Sequence, residues 1–526
     1  MRSVLAIAAI GLMTTVAMAQ PGFQKIRKQP PRPDAQSGMC RHAPILAALA
    51  PERDQSPRGN DRAEPIPVPV EAPMEPMAPP PPAPPPPPPP PPLPAPPSPS
   101  SDTDESAIAV TGSRITSPAI APPPSAKVET ADGVRDRSAP PPEPVDSSRG
   151  GWQPQAGILT AGEHDDLLNP ELYARYVKQS DLGQRWQTLP LVDTGRALTV
   201  AVTDASGQPM PMAEVKLTCA DGNSLSLATM ADGTAVFFPG LDRLGDSVRL
   251  SVRVAGRPVA EDRDVAIPRA PGPQRVSVTA GGRAAPVGKF DLMLVLDTTG
   301  SMGDEIAYLK SELRDILDAI KREHPQLDMR VGLVFYRDVG DDYVTRSIAF
   351  TPIFDAAQAQ LGKQYAGGGG DYPEAVDQAL NRAVNDFRWR PDAVKSMLWV
   401  ADAPPHDELV GKSWAAAEMA RAKRIQIVPV AASGVAKEAE YIMRATAAAT
   451  QSRYLFLTDD SGVGMPHKKP AIDCYLVTKL DALVRRVLDS QISGRRIEPK
   501  PEEVIRTVGK YDAGKCVLPA GNWQDD

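Results

Sequence analysis

The chain has 526 residues, which is enough for several domains, but its 60 prolines and 39 glycines indicate that much of it is not globular. Its formal net charge of −7 describes a mildly acidic protein. That balance argues against nucleic acid or an anionic membrane surface as the main partner.

The first residues carry the pattern of a secretory signal peptide. Arg2 precedes an apolar core, and the small residues Ala17 and Ala19 mark a cleavage point before Gln20. This stretch is too short and wrongly flanked for a membrane span, and no later stretch is long and apolar enough to cross a bilayer. We therefore expect residues 1–19 to be a signal peptide and the protein to be exported, peripheral to a membrane at most.

Residues 20–149, the Pro-rich arm, are rich in proline, serine and charge and poor in large apolar side chains. The unbroken prolines at 84–92 enforce a polyproline II rod at roughly 3 Å per residue. We predict that the arm is disordered and acts as a spacer. Its one strand-like island, residues 108–115, is similar to the segment that opens the plug of TonB-dependent outer-membrane receptors, with a chance apolar patch as the alternative. Together with the signal peptide, this similarity favours the periplasm or cell surface of a Gram-negative bacterium.

Residues 150–195 regain aromatic side chains and predict a short helical linker segment, with a helix that begins near Pro170. Before it, Glu163, Asp165 and Asp166 could bind calcium. The loop lacks the spacing of known calcium-binding loops, so a solvated turn is the preferred interpretation.

Alternating strands separated by Asp, Gly and Asn turns fill residues 196–270 and predict a small all-β sandwich. The order "strand, D-x-x-G-x-P, strand, turn, D-G-x-A-x-F" resembles carboxypeptidase regulatory-like and bacterial immunoglobulin-like β-sandwiches. Such modules space or support other domains, and no catalytic constellation is present in this one. The residues that carry the resemblance are Asp204, Gly207, Pro209, Asp232, Gly233 and Phe237.

Strands and helices alternate through residues 288–495, which predicts an α/β fold with a doubly wound, mostly parallel sheet. A short polar turn after the second strand predicts that residues 344–350 form an antiparallel edge strand. Residues 496–526 have the character of a tail. We predict helices near residues 304–322, 372–387, 412–422, 437–449 and 475–490.

Four cysteines in an exported chain permit disulfide bonds, and three pairings exist. We favour a bond between Cys474 and Cys516, which would tie the tail to the main domain. Cys219 fits a buried strand, and Cys40 falls in the Pro-rich arm. The spacings do not resemble a zinc site.

Oxygen donors gather where apolar strands of the α/β region end. Asp297, Thr299 and Ser301 follow the first strand at every second position, and Asp402 ends a later buried strand. The loop at 366–376 contains four glycines, which let the backbone approach the same place. Open α/β sheets bind ligands at the carboxyl ends of their strands, and hard oxygen donors suit Mg²⁺ or Ca²⁺ better than a soft metal.

At these residues the chain resembles the von Willebrand factor type A (vWA) domain and its metal-ion-dependent adhesion site. The family's D-x-S-x-S motif appears as Asp297, Thr299 and Ser301, with a threonine that keeps the hydroxyl of the first serine. The family's strand-end aspartate matches Asp402. The resemblance covers residues 289–495 and implies that these side chains hold a divalent cation, Mg²⁺ before Ca²⁺ or Mn²⁺.

In many vWA domains a threonine on the glycine-containing loop is a further ligand, and this chain lacks it. Its D-Y-P-E stretch instead resembles the D-x-P-E loop of integrin β subunits, in which the glutamate serves. This resemblance implies that Glu374 is the remaining metal ligand, with Asp371 as the second candidate. In the same integrin-like members, acids just after the serine hold an adjacent calcium. Asp304 and Glu305 occupy those positions, although the glutamate departs from the expected aspartate.

The resemblance implies a binding function in which an Asp or Glu side chain of a partner protein completes the coordination of the metal. We therefore expect an exported adhesion or scaffold protein and not an enzyme. One alternative is a Mg²⁺-dependent phosphatase of the haloacid dehalogenase type with Asp297 as nucleophile, although Thr299 stands where its second acid is expected. Another is a structural envelope protein with a vestigial site. His406 and His467 lie near these loops, but a hard-oxygen site does not require a histidine.

Overall fold

In a computed structural model of the chain, the structure describes residues 40–52, 157–186, 189, 192–303, 306–462 and 467–518. The predicted signal peptide, most of the Pro-rich arm with its island at 108–115, and both Asp304 and Glu305 lie outside these ranges. The described residues all belong to one compact unit. Among their helices, none has the length and apolar character needed to span a membrane.

Residues 198–279 form two small sheets that share one buried cluster of apolar side chains. One sheet has the order β5-β2-β9, and the other has the order β4-β3-β6-β7 with β8 also paired to β6. The last strand lies beyond the predicted boundary at residue 270. The similarity to named sandwich modules stays a prediction. The strands are β2 (Leu198–Thr203), β3 (Glu214–Thr218), β4 (Ser224–Ala228), β5 (Thr234–Phe237), β6 (Ser247–Val254), β7 (Arg257–Pro258), β8 (Arg263–Ala266) and β9 (Gln274–Thr279), and they follow β1 (Thr160–His164), α1 (Pro170–Gln179) and α2 (Leu182–Arg185) along the chain.

Strand β1 and eight strands between residues 289 and 508 build a nine-stranded sheet of order β12-β11-β10-β13-β14-β15-β1-β16-β17, with apolar cores on both faces. Five neighbouring strands of this sheet run parallel: β11, β10, β13, β14 and β15. Strand β12 pairs antiparallel to β11 and is the predicted edge strand. The predicted α/β fold with a mostly parallel sheet is therefore confirmed. Besides β1, its elements are β10 (Lys289–Asp297), α3 (Ile306–Glu323), β11 (Asp328–Tyr336), β12 (Thr345–Thr351), α4 (Phe354–Gly362), α5 (Val376–Asn385), β13 (Val394–Ala401), α6 (Val410–Ala422), β14 (Ile425–Ala431), α7 (Lys437–Ala449), β15 (Tyr454–Thr458), β16 (Tyr475–Lys479), α8 (Leu480–Ser493) and β17 (Arg506–Val508). A separate pair of short strands follows, β18 (Tyr511–Asp512) and β19 (Lys515–Cys516).

The prediction that residues 150–195 form a helical linker is wrong at its start. Strand β1 lies inside the main sheet, antiparallel to both β15 and β16, and all five of its residues are buried. Glu163 and Asp166 are therefore not in a solvated turn. Arg453 pairs with Glu163 at 2.8 Å and Arg444 pairs with Asp166 at 2.6 Å.

Two further predictions about the C-terminal part need correction. Residues 475–490 form a strand followed by a helix, because the run Tyr475–Lys479 pairs with β1 on one side and β17 on the other. The predicted tail supplies β17 and so belongs to the sheet. Helix α4, Phe354–Gly362, was not predicted. Short apolar runs do not distinguish a strand from a helix segment by their periodicity, which explains the error at β16.

The structure contains two disulfide bonds. The predicted bond between Cys474 and Cys516 is confirmed. Cys40 is not in a disordered arm: it is buried and bonded to Cys219, across a sequence separation of 179 residues. No spacing rule reveals this pairing, because the partner lies in a different part of the chain.

Candidate metal centre

The first part of the site is the carboxyl end of β10, which lies between the parallel strands β11 and β13. Asp297 is 1 % exposed there, and its Oδ1 accepts hydrogen bonds from the backbone N–H and the hydroxyl of Thr299, at 2.9 and 2.7 Å. The Thr299 hydroxyl lies 3.2 Å from that of Ser301, which is exposed. The turn after β10 thus forms a row of oxygen atoms that runs from the buried carboxylate to the surface.

The glycine loop packs tightly against this row. The Gly300 N–H donates to the Gly368 carbonyl at 3.0 Å. Gly369 has a φ of +72°, and a Cβ there would lie 3.0 Å from Glu374 Oε1 and 3.3 Å from Thr299 Cβ. A side chain at Gly369 would therefore be strained and would press on two candidate ligands. The loop brings the buried Glu374 beside Thr299.

Asp402 follows the last residue of β13 and is 3 % exposed. The Tyr372 hydroxyl donates to the Asp402 carbonyl at 3.1 Å and accepts the N–H of Ala436 at 2.7 Å. These bonds join the glycine loop to the ends of β13 and β14. The end of β13 is therefore held next to the end of β10 and the glycine loop.

Burial and neighbouring negative charges raise the pKa of two carboxyl groups in this site. Burial, followed by the charge of Asp402, raises the pKa of Asp297 to about 7. Burial, followed by the charge of Asp297 and further acids, raises the pKa of Glu374 to about 9. Within the described part of the chain, Asp297 Oδ2 and Glu374 Oε2 are buried and have no hydrogen-bond partner. Buried acceptors of this kind are rare in proteins, and a cation among them would favour their ionised forms. The donor set fits a hard divalent cation.

Comparison with known proteins identifies the domain that carries this site. Residues 291–467 match the family model described as von Willebrand factor A domain. The chain contains a vWA domain. The match begins in β10 and ends after β15, so it includes all six predicted ligands: Asp297, Thr299, Ser301, Asp371, Glu374 and Asp402.

Curated relatives match the chain over short stretches. The alpha-protein kinase vwkA of Dictyostelium discoideum is 31% identical over 120 residues, which is 22% of this chain and 19% of the kinase. The von Willebrand factor A domain-containing protein 7 of Homo sapiens is 37% identical over 98 residues, which is 18% of this chain and 10% of that protein. The chain thus spans less than a fifth of the length of these relatives.

Solved structures resemble the chain only distantly. The conserved hypothetical protein BatB from Bacteroides thetaiotaomicron has a TM-score of 0.27 at 14% identity, and the match covers 39% of this chain and 98% of that one. The pilus adhesin SpaC from Lactobacillus rhamnosus GG, in its open conformation, has a TM-score of 0.29 at 12% identity, covering 47% of this chain and 32% of that one.

Within the vWA domain, five of the six predicted ligands converge. The sixth, Asp371, is exposed on the glycine loop, two residues after the tight turn at Gly369. Glu374, by contrast, is 3 % exposed and lies beside Thr299. The predicted adjacent calcium ligands Asp304 and Glu305 lie outside the described residues.

Sequence reasoning missed a third acidic strand end, that of β11. After β11, Asp341 Oδ2 accepts the N–H groups of Asp338 and Gly369, at 3.0 and 2.9 Å, and so anchors the glycine loop. Asp338 Oδ1 lies 2.9 Å from His406 Nε2. The charges of both aspartates contribute to the raised pKa of Glu374. The run of acids directly after a buried strand was the signal that could have revealed them.

The second histidine near the site, His467, contacts Ser433 Oγ through Nε2 at 3.0 Å and Asp459 Oδ1 through Nδ1 at 2.8 Å. Ser433 is only 4 % exposed. These hydrogen bonds fix the loop after β15 to the end of β14. They favour a structural role for His467 over a role as a catalytic base or nucleophile.

Proposed function

We propose that this protein is an exported, metal-dependent protein-binding protein that acts through its vWA domain. The single observation that carries the proposal is the convergence of Asp297, Glu374 and Asp402 beside the exposed hydroxyl of Ser301. Two of these buried carboxylates keep an oxygen without a hydrogen-bond partner in the described part of the chain. An isolated cluster of buried carboxylates is costly unless its charge is compensated.

In this proposal the chain's own side chains supply a preformed set of ligands for one divalent cation, with Mg²⁺ preferred over Ca²⁺ or Mn²⁺. Thr299 holds Asp297 in place by two hydrogen bonds, and the glycine loop positions Glu374. The cation supplies an open coordination position for an Asp or Glu side chain of a partner protein. Because Ser301 is exposed, that position faces solvent.

The proposal includes no catalytic step. In the competing phosphatase class Asp297 would have to attack a phosphoryl group. One of its oxygens already accepts two hydrogen bonds, and the residue is 1 % exposed. Both features support a role as ligand. Two disulfide bonds support an oxidising compartment, such as the periplasm or the cell surface of a Gram-negative bacterium.

Calorimetric titration of EDTA-treated protein with Mg²⁺ tests the proposal. We expect one bound ion per chain, with affinity reduced by at least about tenfold in Asp297→Ala and Asp402→Ala, since each removes a charged ligand. Asp318→Ala is the matched control, because the Asp318 side chain is 48 % exposed and its pair with Arg314 spans 4.0 Å. Capture of a partner from an envelope extract should then require Mg²⁺ and fail with EDTA. Wild-type protein that takes up no divalent cation would instead support a vestigial site.

A further inference from the structure

A second group of side chains of the kinds that bind metals lies at the opposite ends of the strands of the main sheet, away from the first site. Helix α3 ends at Glu323, and His324 follows it directly, four residues before β11 begins at Asp328. Asp328 pairs with Lys289, the first residue of β10. The group is therefore at the amino-terminal ends of these strands, whereas Asp297 is at the carboxyl end of β10.

Three side chains from two elements converge there. Glu323 and His324 at the end of α3 and Asp489 on α8 each place one ligand atom within 4.8 Å of the other two. His324 Nε2 lies 2.9 Å from Asp489 Oδ1, and Asp489 is 9 % exposed. This spacing is close to what three ligands of one metal ion require, since metal–ligand distances of about 2 Å place ligand atoms roughly 3 to 4 Å apart.

The two carboxylates lie closer together than their charges favour. Glu323 is exposed and Asp489 is buried, and each places one carboxylate oxygen within 4.8 Å of the other. Arg485 offsets this repulsion in part, at 3.6 Å from Glu323 Oε1. A divalent cation between the acids would remove the repulsion.

The cluster lines a cavity of about 500 Å³. The other lining residues are Ser493, Arg495, Arg496 and Ile497. Arg496 is engaged by Glu163, Asp165 and Glu498. The cavity leaves room for a small exogenous ligand beside the three side chains.

We propose that Glu323, His324 and Asp489 form a second metal site, distinct from the centre at Asp297, which takes a borderline cation such as Zn²⁺. An imidazole nitrogen with two carboxylates suits Zn²⁺ better than Mg²⁺, which prefers oxygen ligands alone. Two ionised carboxylates and a neutral imidazole balance the charge of the ion. Three protein ligands leave a fourth position open, and that position faces the cavity.

The same contacts would also arise if a protonated His324 only bridged two acids and joined α3 to α8. The two cases differ in metal uptake. Zinc binding should survive loss of the first centre and require His324, whereas an ion pair should bind no zinc.

The test is calorimetric titration of EDTA-treated full-length protein with Zn²⁺ in saturating Mg²⁺. We expect one Zn²⁺ per chain, with affinity reduced by at least about tenfold in His324→Ala and in Asp489→Asn. Asp297→Ala should retain this zinc, as should the control His42→Ala, which removes an exposed histidine. Visible absorption of Co²⁺ in place of Zn²⁺ gives an independent report of the nitrogen ligand.

Thermal unfolding without metal establishes that each variant is folded, and added Zn²⁺ should raise the unfolding temperature of the wild type but not of His324→Ala. Wild-type protein that takes up no zinc in saturating Mg²⁺ would overturn the proposal. So would zinc affinity that is unchanged in both His324→Ala and Asp489→Asn.

Discussion

Glu312 shows how a single buried carboxylate fixes the start of an unexpected strand. It lies on α3 and is fully buried, and its Oε1 accepts the N–H groups of Gly157, Ile158 and Leu159, at 2.9, 3.2 and 3.3 Å. Its Oε2 has no hydrogen-bond partner among the described residues. Burial raises the pKa of Glu312 to about 7 despite the three N–H donors, which act in the opposite direction.

The pH dependence of stability should report this group. Because the folded state holds the proton of Glu312 up to about pH 7, and the unfolded chain releases it near pH 4.5, its contribution to the free energy of unfolding falls as the pH rises from 4.5 to 7. Glu312→Gln keeps an acceptor for the three N–H groups and removes the titration. We expect the variant to lose less stability than the wild type between pH 5 and pH 8, in urea unfolding at fixed salt. Parallel pH profiles of the free energy of unfolding for the two proteins would contradict this expectation. The control is Glu171→Gln, which changes an exposed glutamate on α1.

At the candidate centre, the residues that could be predicted were those whose position follows from topology. Asp297 and Asp402 end strands that run parallel, so the sheet places them together whatever the loops do. Asp338 and Asp341 were not predicted, because their role depends on hydrogen bonds to a histidine and to the glycine loop. Those contacts leave no regular spacing in the sequence.

Among the elements, β1 departs furthest from what its sequence favours. The segment TAGEH has a single β-branched residue, Thr160, and lacks the alternation typical of a strand, yet it is the seventh of the nine strands and is paired on both sides. Its position is fixed by charge: Glu163 lies 2.8 Å from Arg453 and within 3.8 Å of Arg486 and Arg496. Tertiary contacts of this kind override local propensity, which is why the strand was not predicted. Strands such as β10 and β13 were predicted because they are continuous apolar runs.

Removing the charge of Glu163 should destabilise the sheet. Burial alone would raise the pKa of Glu163, but the guanidinium groups of Arg453, Arg496 and Arg486 lower it to about 2. Glu163→Gln leaves these cations without their counter-ion, and we expect a loss of about 3 kcal/mol in the free energy of unfolding at pH 7.

The contribution of Glu163 to the free energy of unfolding changes with pH in the opposite direction to that of Glu312. A lowered pKa gives stability that is present above about pH 4.5 and is lost as the pH falls towards 2. The difference between wild type and Glu163→Gln should therefore be constant from pH 7 to pH 5 and shrink below pH 4.5. Urea unfolding across this range measures it. A difference that persists undiminished at pH 3 would show that the charge is not its origin.

For the whole molecule, the segment 40–52 changes the interpretation of the Pro-rich arm. Cys40 is bonded to Cys219, Arg41 pairs with Glu418 at 2.7 Å, and Glu52 accepts the hydroxyl of Ser347 at 2.7 Å. Residues 40–52 and the described residues from 157 onward are thus parts of the same folded body. The arm was predicted as a spacer between the N-terminus and the binding domain. Residues 40–52 depart from that prediction because they are bonded to the domain, whereas residues 53–156 lie outside the described part of the chain and their role as a spacer stays a prediction.

Limited proteolysis should reveal this attachment. Residues 53–156 contain arginines and a lysine at which trypsin can cut, including Arg58 and Lys127. A cut there separates the N-terminal piece from the rest of the backbone, but the bond between Cys40 and Cys219 should keep the two joined. On denaturing gels we expect the nicked wild type to run near its full mass without reductant and as separate fragments after reduction. Cys40→Ser should release the N-terminal fragment without reductant, whereas Cys516→Ser, which breaks only the other disulfide, should not. Release of that fragment from the unreduced wild type would contradict the arrangement.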